Sequence, residues 1–441
     1  MRRRSFLGSA ASCCALPAPQ VQHQPGRAPA ADRALPPSPW QTGQYDSVCS
    51  KVRITGMKVI GVPVPGAPLD RPYVFVKLET NAGVVGWGEA TLEGKAGAVI
   101  ACVNDFREFV IGSDPMQVEH HWQSMWVHSF YRPGPIAGSA ISGIDQALWD
   151  IRGKLLGLPV YKLLGGPVDP RGVRGYYHAG AATRDELIKL RETAIAQGIT
   201  CFKTGPGGRT WEWIDSHAKI DASVKRMAML REALGPEIDI GVDAHAKMSP
   251  AVASIILKEI EPLKLLFFEE PCPPENARAM AKIARRTATP IATGERLVSH
   301  YSVRELIELD AVDIIQTDIN HVGGISALMK VGAMAEPAGM ALAPHACEGP
   351  IGGIATLHAD AAMPNFLVQE ICSGAQPGQK EKIWEEWLGF PAMRMVNGFF
   401  PLPSRPGLGF ELDEGVFTKY PFTGSRSMAR IFHDDGSVAE W

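Results

Sequence analysis

Between residues 172 and 370, eight short apolar runs alternate with amphipathic stretches of helical length. The runs are VRGYYHA, ITCFKTG, IDIGVDA, LLFFEE, PIATGE, VDIIQTD, MALAPH and NFLVQE. Runs this short read as buried strands, and strands joined through helices pair in parallel. Ser249-Pro250 marks one helix start, with Ser as N-cap and Pro at the first helical position. Eight such repeats describe a (β/α) barrel of the TIM type. The last run leads into an irregular region, so the eighth helix is expected to be absent or displaced, giving a (β/α)7β barrel.

The residues that end these runs carry the chemistry. Asp243, Glu269 and Glu295 are spaced 26 residues apart, about one strand–helix repeat. Active sites of such barrels lie at the C-terminal strand ends, so the three carboxylates are predicted to converge. Without a cation they would repel one another. All three offer oxygen and none offers thiolate, which fits one Mg²⁺ per subunit. His245 follows Asp243 by two residues, and His345 ends the seventh run. Asp318, ending the sixth, is placed to hold the His345 imidazole and raise its basicity. Glu370 ends the eighth run, either as a polar group near a developing oxyanion or as a structural ion-pair partner.

Ahead of the barrel, KVIGVPV, YVFVKLET and VVGWGEA read as an antiparallel meander with a turn at Thr80-Asn81-Ala82-Gly83. The helical stretches GAVIACVNDFREFVIG and ISGIDQALWDIRGKLLG follow. The expected divisions are an α+β capping domain at 46–170, the barrel at 171–385, and a segment at 386–441 that packs back on the capping domain. Residues 1–45 carry a net +4, leaving −7 for the rest of a chain whose total is −3. Arg3-Arg4-Ser5-Phe6-Leu7 is similar to a bacterial twin-arginine export signal, and prolines follow it densely. This head is read as signal plus linker and implies a periplasmic location, with a cytoplasmic one as the alternative. The net-negative body lacks the basic stripe of a nucleic-acid binder and an apolar run able to span a bilayer. Eight scattered cysteines without a CxxC pair argue against a disulfide framework.

The motifs VGWGEA (84–90), FYRPGPI (130–136), GIDQALWDI (143–151), GVDAHAKMSP (241–250), FFEEP (267–271), TGER (293–296), QTDINHVGGI (316–325), LAPH (342–345), QE (369–370), PGLGFELDE and SVAEW together resemble the enolase superfamily. Within it they are most similar to the mandelate racemase subgroup, and there to the D-galactonate dehydratases. The resemblance implies Mg²⁺ on Asp243, Glu269 and Glu295, chelating the carboxylate and 2-hydroxyl of a sugar acid. It implies that His345, backed by Asp318, removes the C2 proton. Glu370 would help to stabilise the enediolate. His245 would protonate the departing 3-hydroxyl, yielding a 2-keto-3-deoxy acid. It also implies a homo-oligomer, dimer or octamer.

Many relatives end the second strand in Lys-x-Lys. Here the run is Lys203-Thr204-Gly205, which lacks the second base and disfavours two-base racemisation. Lys203 is a candidate for the substrate carboxylate or for an ion pair beside the ligands. His178 is a candidate pocket residue. Glu89 and Arg132 read as structural or interdomain. The glycine-rich 205–208 stretch departs from the galactonate dehydratase pattern, so the exact acid is open, and the 61–73 loop is expected to close over the site as the N-terminal domain does in the family. A cycloisomerase or epimerase would use the same site; a hydrolase would want a His-x-His pair, which His245-Ala246-Lys247 is not. A non-catalytic binder would be expected to have lost a ligand or the base.

Overall fold

A computed structural model describes residues 49–63, 71–180, 183–346, 349–370, 380–389 and 393–441. The twin-arginine-like head, residues 64–70 of the 61–73 loop, and Cys13, Cys14, Cys347 and Cys372 lie outside them. Cys49, Cys102, Cys201 and Cys272 are free thiols.

Strands β1 (Ile54–Val62), β2 (Tyr73–Thr80) and β3 (Val85–Glu89) form the antiparallel meander. The turn between β2 and β3 uses Gly83 at φ 73°, a left-handed conformation that glycine adopts without strain. Helix α1 (Pro135–Leu156) lies across this sheet. Contact is close because β3 presents Gly86 and Gly88. A Cβ at Gly88 would meet the Gly143 carbonyl oxygen at 2.0 Å.

The barrel strands are β4 (Val173–His178), β5 (Cys201–Thr204), β6 (Asp239–Asp243), β7 (Phe267–Glu269), β8 (Ile291–Thr293), β9 (Ile314–Ile315), β10 (Ala341–Leu342) and β11 (Gln369–Glu370). Neighbours pair in parallel in the order β10-β9-β8-β7-β6-β5-β4-β11. A parallel bridge between Leu342 and Phe366 joins the two ends, with Leu367 N–H donating to the Leu342 carbonyl at 2.7 Å. The barrel is thus closed and its edges removed. Tyr176, Cys201, Phe267, Ala292, Ile314, Ala343 and Val368 form a separate buried cluster inside it. Alternating side chains fill the interior, as in a TIM barrel, and leave the polar strand ends at one mouth. Ser249 caps helix α2 (Pro250–Ile260) by accepting from Val252 N–H, as its sequence predicts.

Beyond β11, the next described element is helix α4 (Lys380–Leu388). Its buried Trp387 lies edge-on to Tyr73 and Phe75 of β2, and Trp384 Nε1–H donates to the Tyr73 hydroxyl. This helix packs on the antiparallel sheet rather than on the barrel wall.

Glu89, ending β3, ties the sheet to the barrel. Its carboxylate accepts from the backbone N–H groups of Gly349, Ile351 and Gly352 and from the Thr91 hydroxyl. Those amides begin helix α3 (Pro350–Asp360), which follows the His345 segment. Burial pushes the Glu89 carboxyl up to about 7, against the pull of its donors. His358 on the same helix accepts from Tyr161 N–H through Nδ1 and donates from Nε2 to the Leu408 carbonyl. Burial pushes its pKa down to about 4.

Two outcomes are expected. Glu89→Ala strands three buried N–H groups, so its urea midpoint at pH 7 should fall by the equivalent of ~3 kcal/mol. Glu89→Gln, which keeps an acceptor, should lose less. For His358, a folded pKa below the unfolded one gives stability that is full above pH 6.5 and is lost as pH falls toward 4. The loss amounts to up to ~3 kcal/mol. The drop in unfolding midpoint between pH 7 and pH 5 should therefore be smaller in His358→Gln than in the parent.

Candidate active site

Parallel register brings the first two carboxylates together, because Asp243 on β6 stands opposite Glu269 on β7. Glu295 arrives two residues past β8 through Gly294, at φ 151°. A Cβ at Gly294 would meet the Gln316 and Thr317 amides at 2.7 Å. One oxygen from each of Asp243, Glu269 and Glu295 lies within 4.8 Å of the others. Asp243 and Glu269 are buried and Glu295 is half-buried. Glu295 Oε2 is shielded from solvent and has no hydrogen-bond partner among the described residues. Such an oxygen set could hold a hard divalent cation.

Lys203 on β5 stands among these groups, almost fully buried. Its Nζ is 2.7 Å from Glu370 Oε1, 3.1 Å from Glu269 Oε2 and 3.3 Å from Asp243 Oδ2. Burial alone would lower its pKa, but Glu269 and Glu370 outweigh it and hold the ammonium well above its ordinary value. Burial would raise Asp243, yet Lys203 and His245 hold it below the usual carboxylate range. Glu269 goes the other way, since burial and Asp243 both push it up.

His345 follows β10. Its Nδ1 is 2.6 Å from Asp318 Oδ2, which turns Nε2 toward the carboxylates, 3.6 Å from Glu295 Oε2 and 3.9 Å from Glu370 Oε2. Burial disfavours its charge, but Glu370, Glu295 and Asp318 outweigh it and raise the imidazole well above its ordinary value. Asp318 is fixed in turn by the Asn320 N–H. His245, on the other side of the carboxylates, has Nε2 3.2 Å from Asp243 Oδ2 and a side chain 40% exposed. His178 Nε2 meets Glu370 Oε1 at 2.7 Å across the β11–β4 pairing. Burial would raise Glu370, yet Lys203, His345 and His178 hold it well below the usual range.

All nine residues singled out in the sequence thus lie at one mouth of the barrel. Lys203 and His178 both reach Glu370, so each has an acidic partner within the site. A cavity of about 280 Å³ opens beside Asp243 and His245, walled by the 205–208 loop, Trp211, Arg226 and Lys247.

Sequence reasoning left out Glu270, Arg296 and Gln316. Gln316 Nε2–H donates to Glu269 Oε2 at 3.0 Å. Arg296 Nε lies 3.1 Å from Glu270 and 3.5 Å from Glu295, and its Nη2 donates to the His245 carbonyl. His245, Ala246 and Glu270 have φ values of 48°, 55° and 41°, a left-handed backbone that costs free energy in non-glycine residues. These residues stood in plain view in the motifs FFEEP, TGER and QTD, but nothing in their type or spacing assigned them contacts.

The profile described as "Enolase C-terminal domain-like" matches residues 186–416. "Mandelate racemase / muconate lactonizing enzyme, N-terminal domain" matches residues 65–165. A D-galactonate dehydratase from Ralstonia pickettii (strain 12J) is 39% identical over 370 residues, covering 84% of this chain and 96% of the relative. A dehydratase candidate from Mesorhizobium loti superposes with a TM-score of 0.76 at 32% identity, covering 84% and 99% of the two chains. An enolase from Agrobacterium radiobacter, with Na and L-malate bound, does so with a TM-score of 0.79 at 29% identity, covering 88% and 100%. The chain belongs to the mandelate racemase/muconate lactonizing enzyme family of the enolase superfamily.

Proposed function

We propose that the protein is a hydro-lyase that dehydrates a sugar acid, D-galactonate or a related aldonate, to its 2-keto-3-deoxy acid. The observation that carries this reading is the placement of two histidines on opposite sides of one carboxylate cluster. Proton removal at C2 and protonation of a leaving hydroxyl at C3 need separate groups, and this arrangement supplies them. The 39% identical relative named D-galactonate dehydratase supports the same reaction class.

In this reading Asp243, Glu269 and Glu295 hold one Mg²⁺. When bound, the ion supplies positive charge to the substrate carboxylate as negative charge grows there. His345 takes the C2 proton on Nε2, while Asp318 fixes the Nδ1–H tautomer and favours the imidazolium that results. Glu370, tethered by Lys203 and His178, presents its second oxygen toward the same centre. His245 delivers a proton to the 3-hydroxyl as the C3–O bond breaks. Lys203 offsets part of the negative charge of Asp243, Glu269 and Glu370, and His178 orients Glu370. Residues 46–170 with 386–441 would cap the mouth formed by 171–385. Homo-oligomeric assembly, as a dimer or octamer, rests on the family resemblance, and export rests on the Arg3-Arg4 motif. Among the described residues no helix is long and apolar enough to cross a membrane.

Two measurements test this. Calorimetric titration with Mg²⁺ should give one site per chain, with affinity falling ~100-fold or more in Glu269→Gln. The Mg²⁺-loaded protein should then be incubated with a panel of aldonic and aldaric acids and assayed for 2-keto-3-deoxy acids with semicarbazide. One acid should give product. His345→Ala should lose both product and C2–H exchange by ~10³-fold or more. His245→Ala should lose product while keeping exchange. Exchange without keto acid in the parent protein would overturn dehydration in favour of an isomerase.

A further inference from the structure

Residues 430–441 lie far from the barrel in sequence yet reach its mouth. The segment forms a tight hairpin, with Phe432 bridged antiparallel to Val438 and His433 N–H donating to the Ser437 carbonyl. Two polar contacts hold it against the site. His433 Nδ1 lies 2.9 Å from Glu212 in the loop after β5. Glu440 lies 3.7 Å from Nη1 of Arg296, the same guanidinium that contacts Glu270, Glu295 and the His245 carbonyl. Trp441 then stands edge-on to His245, with ring centroids 6.1 Å apart at 81°. Arg71, from the antiparallel-sheet side, lies over the same indole at 6.0 Å. The indole N–H is buried and has no acceptor among the described residues. Packing on His245 and Arg71, rather than a hydrogen bond, therefore sets the ring.

His245 has need of such a support. It sits on left-handed backbone with Ala246, and its side chain is 40% exposed. Its described polar contact is with Asp243, a proposed metal ligand. An acid must be aimed at the leaving oxygen to within a fraction of an ångström, and a misplacement of about 1 Å can cost ~10²-fold.

We infer that Trp441 is a positioning residue that holds the His245 imidazole in line with the leaving hydroxyl, with Glu440 and Arg296 fixing the hairpin that carries it. This rests on the dehydration reading, in which His245 is the acid and His345 the base. Because the two steps use different groups, a displaced His245 should slow elimination and spare proton removal.

The experiment compares the parent protein with Trp441→Ala and Trp441→Phe, each loaded with Mg²⁺. It measures keto-acid formation and C2–H exchange in deuterated buffer. A second readout is independent of turnover: the rate at which diethyl pyrocarbonate modifies His245, followed by peptide mass spectrometry. Trp441→Ala should raise the exchange-to-elimination ratio ~10-fold or more and speed His245 modification several-fold, with Mg²⁺ affinity and melting temperature unchanged. Trp441→Phe, which keeps a ring, should restore both toward parent values. An unchanged ratio, or equal losses of exchange and elimination, would overturn the inference. If the parent protein neither exchanges nor eliminates with any acid tested, the dehydration reading fails, and with it the role of His245 as acid. The modification rate still decides the contact in that case: no change in Trp441→Ala would remove it as well.

Discussion

Lys203 is enclosed by carboxylates, within 3.3 Å of Asp243, Glu269 and Glu370. Burying an ammonium or a carboxylate alone costs several kcal/mol, and a pair offsets that cost only when geometry is close. Here one ammonium cannot neutralise its surroundings, because Glu295, Glu270 and Asp318 face the same space. Arg296 serves Glu270 and Glu295 from one side, and His345 draws on Asp318, Glu295 and Glu370 from the other. The burial and repulsion that push Glu269 and Glu270 well up record the negative charge left over. A fold that gathers that charge in one buried place carries an electrostatic cost that the proposed Mg²⁺ would offset.

The scaffold tolerates this because its strands are rigid and its interior is full. The apolar layer of Tyr176, Cys201, Phe267, Ala292, Ile314, Ala343 and Val368 lies beneath the charged ends. Side chains at the strand ends can point only outward into the mouth. Left-handed backbone at His245, Ala246 and Glu270 then departs from regular strand geometry where the polypeptide leaves β6 and β7. Such conformations persist when surrounding structure over-determines them. Here the fixing contacts include the Glu270 carbonyl accepting from Ala246 N–H and Arg296 donating to the His245 carbonyl.

The barrel, the meander and the convergence of nine site residues were legible because each rests on a local rule. Apolar runs ended by a polar residue mark strand ends, and parallel strands put those ends on one side. Contacts that depend on closure were not legible. His178 meets Glu370 only because β11 pairs with β4, joining residues 192 apart in the chain. Glu270 meets Arg296 through a backbone turn that no glycine announces. Trp441 reaches His245 through a hairpin whose anchors, His433 and Glu440, are ordinary surface types by sequence. Helix α4 lies in a stretch that reads as irregular by sequence, and its place rests on long-range contacts of Trp384 and Trp387 with β2.

Glu89 joins two parts of the chain in a way that bears on how such enzymes can diversify. Its carboxylate, on the antiparallel sheet, terminates the helix that begins just after the His345 loop. A recombination event that replaced the N-terminal sheet with a relative's would leave the barrel strands intact. It would keep the joint only if the incoming strand also placed a hydrogen-bond acceptor at this point. The joint therefore acts as a compatibility tag: the sheet can be exchanged as a block wherever the incoming strand brings an acceptor that satisfies the same three amides.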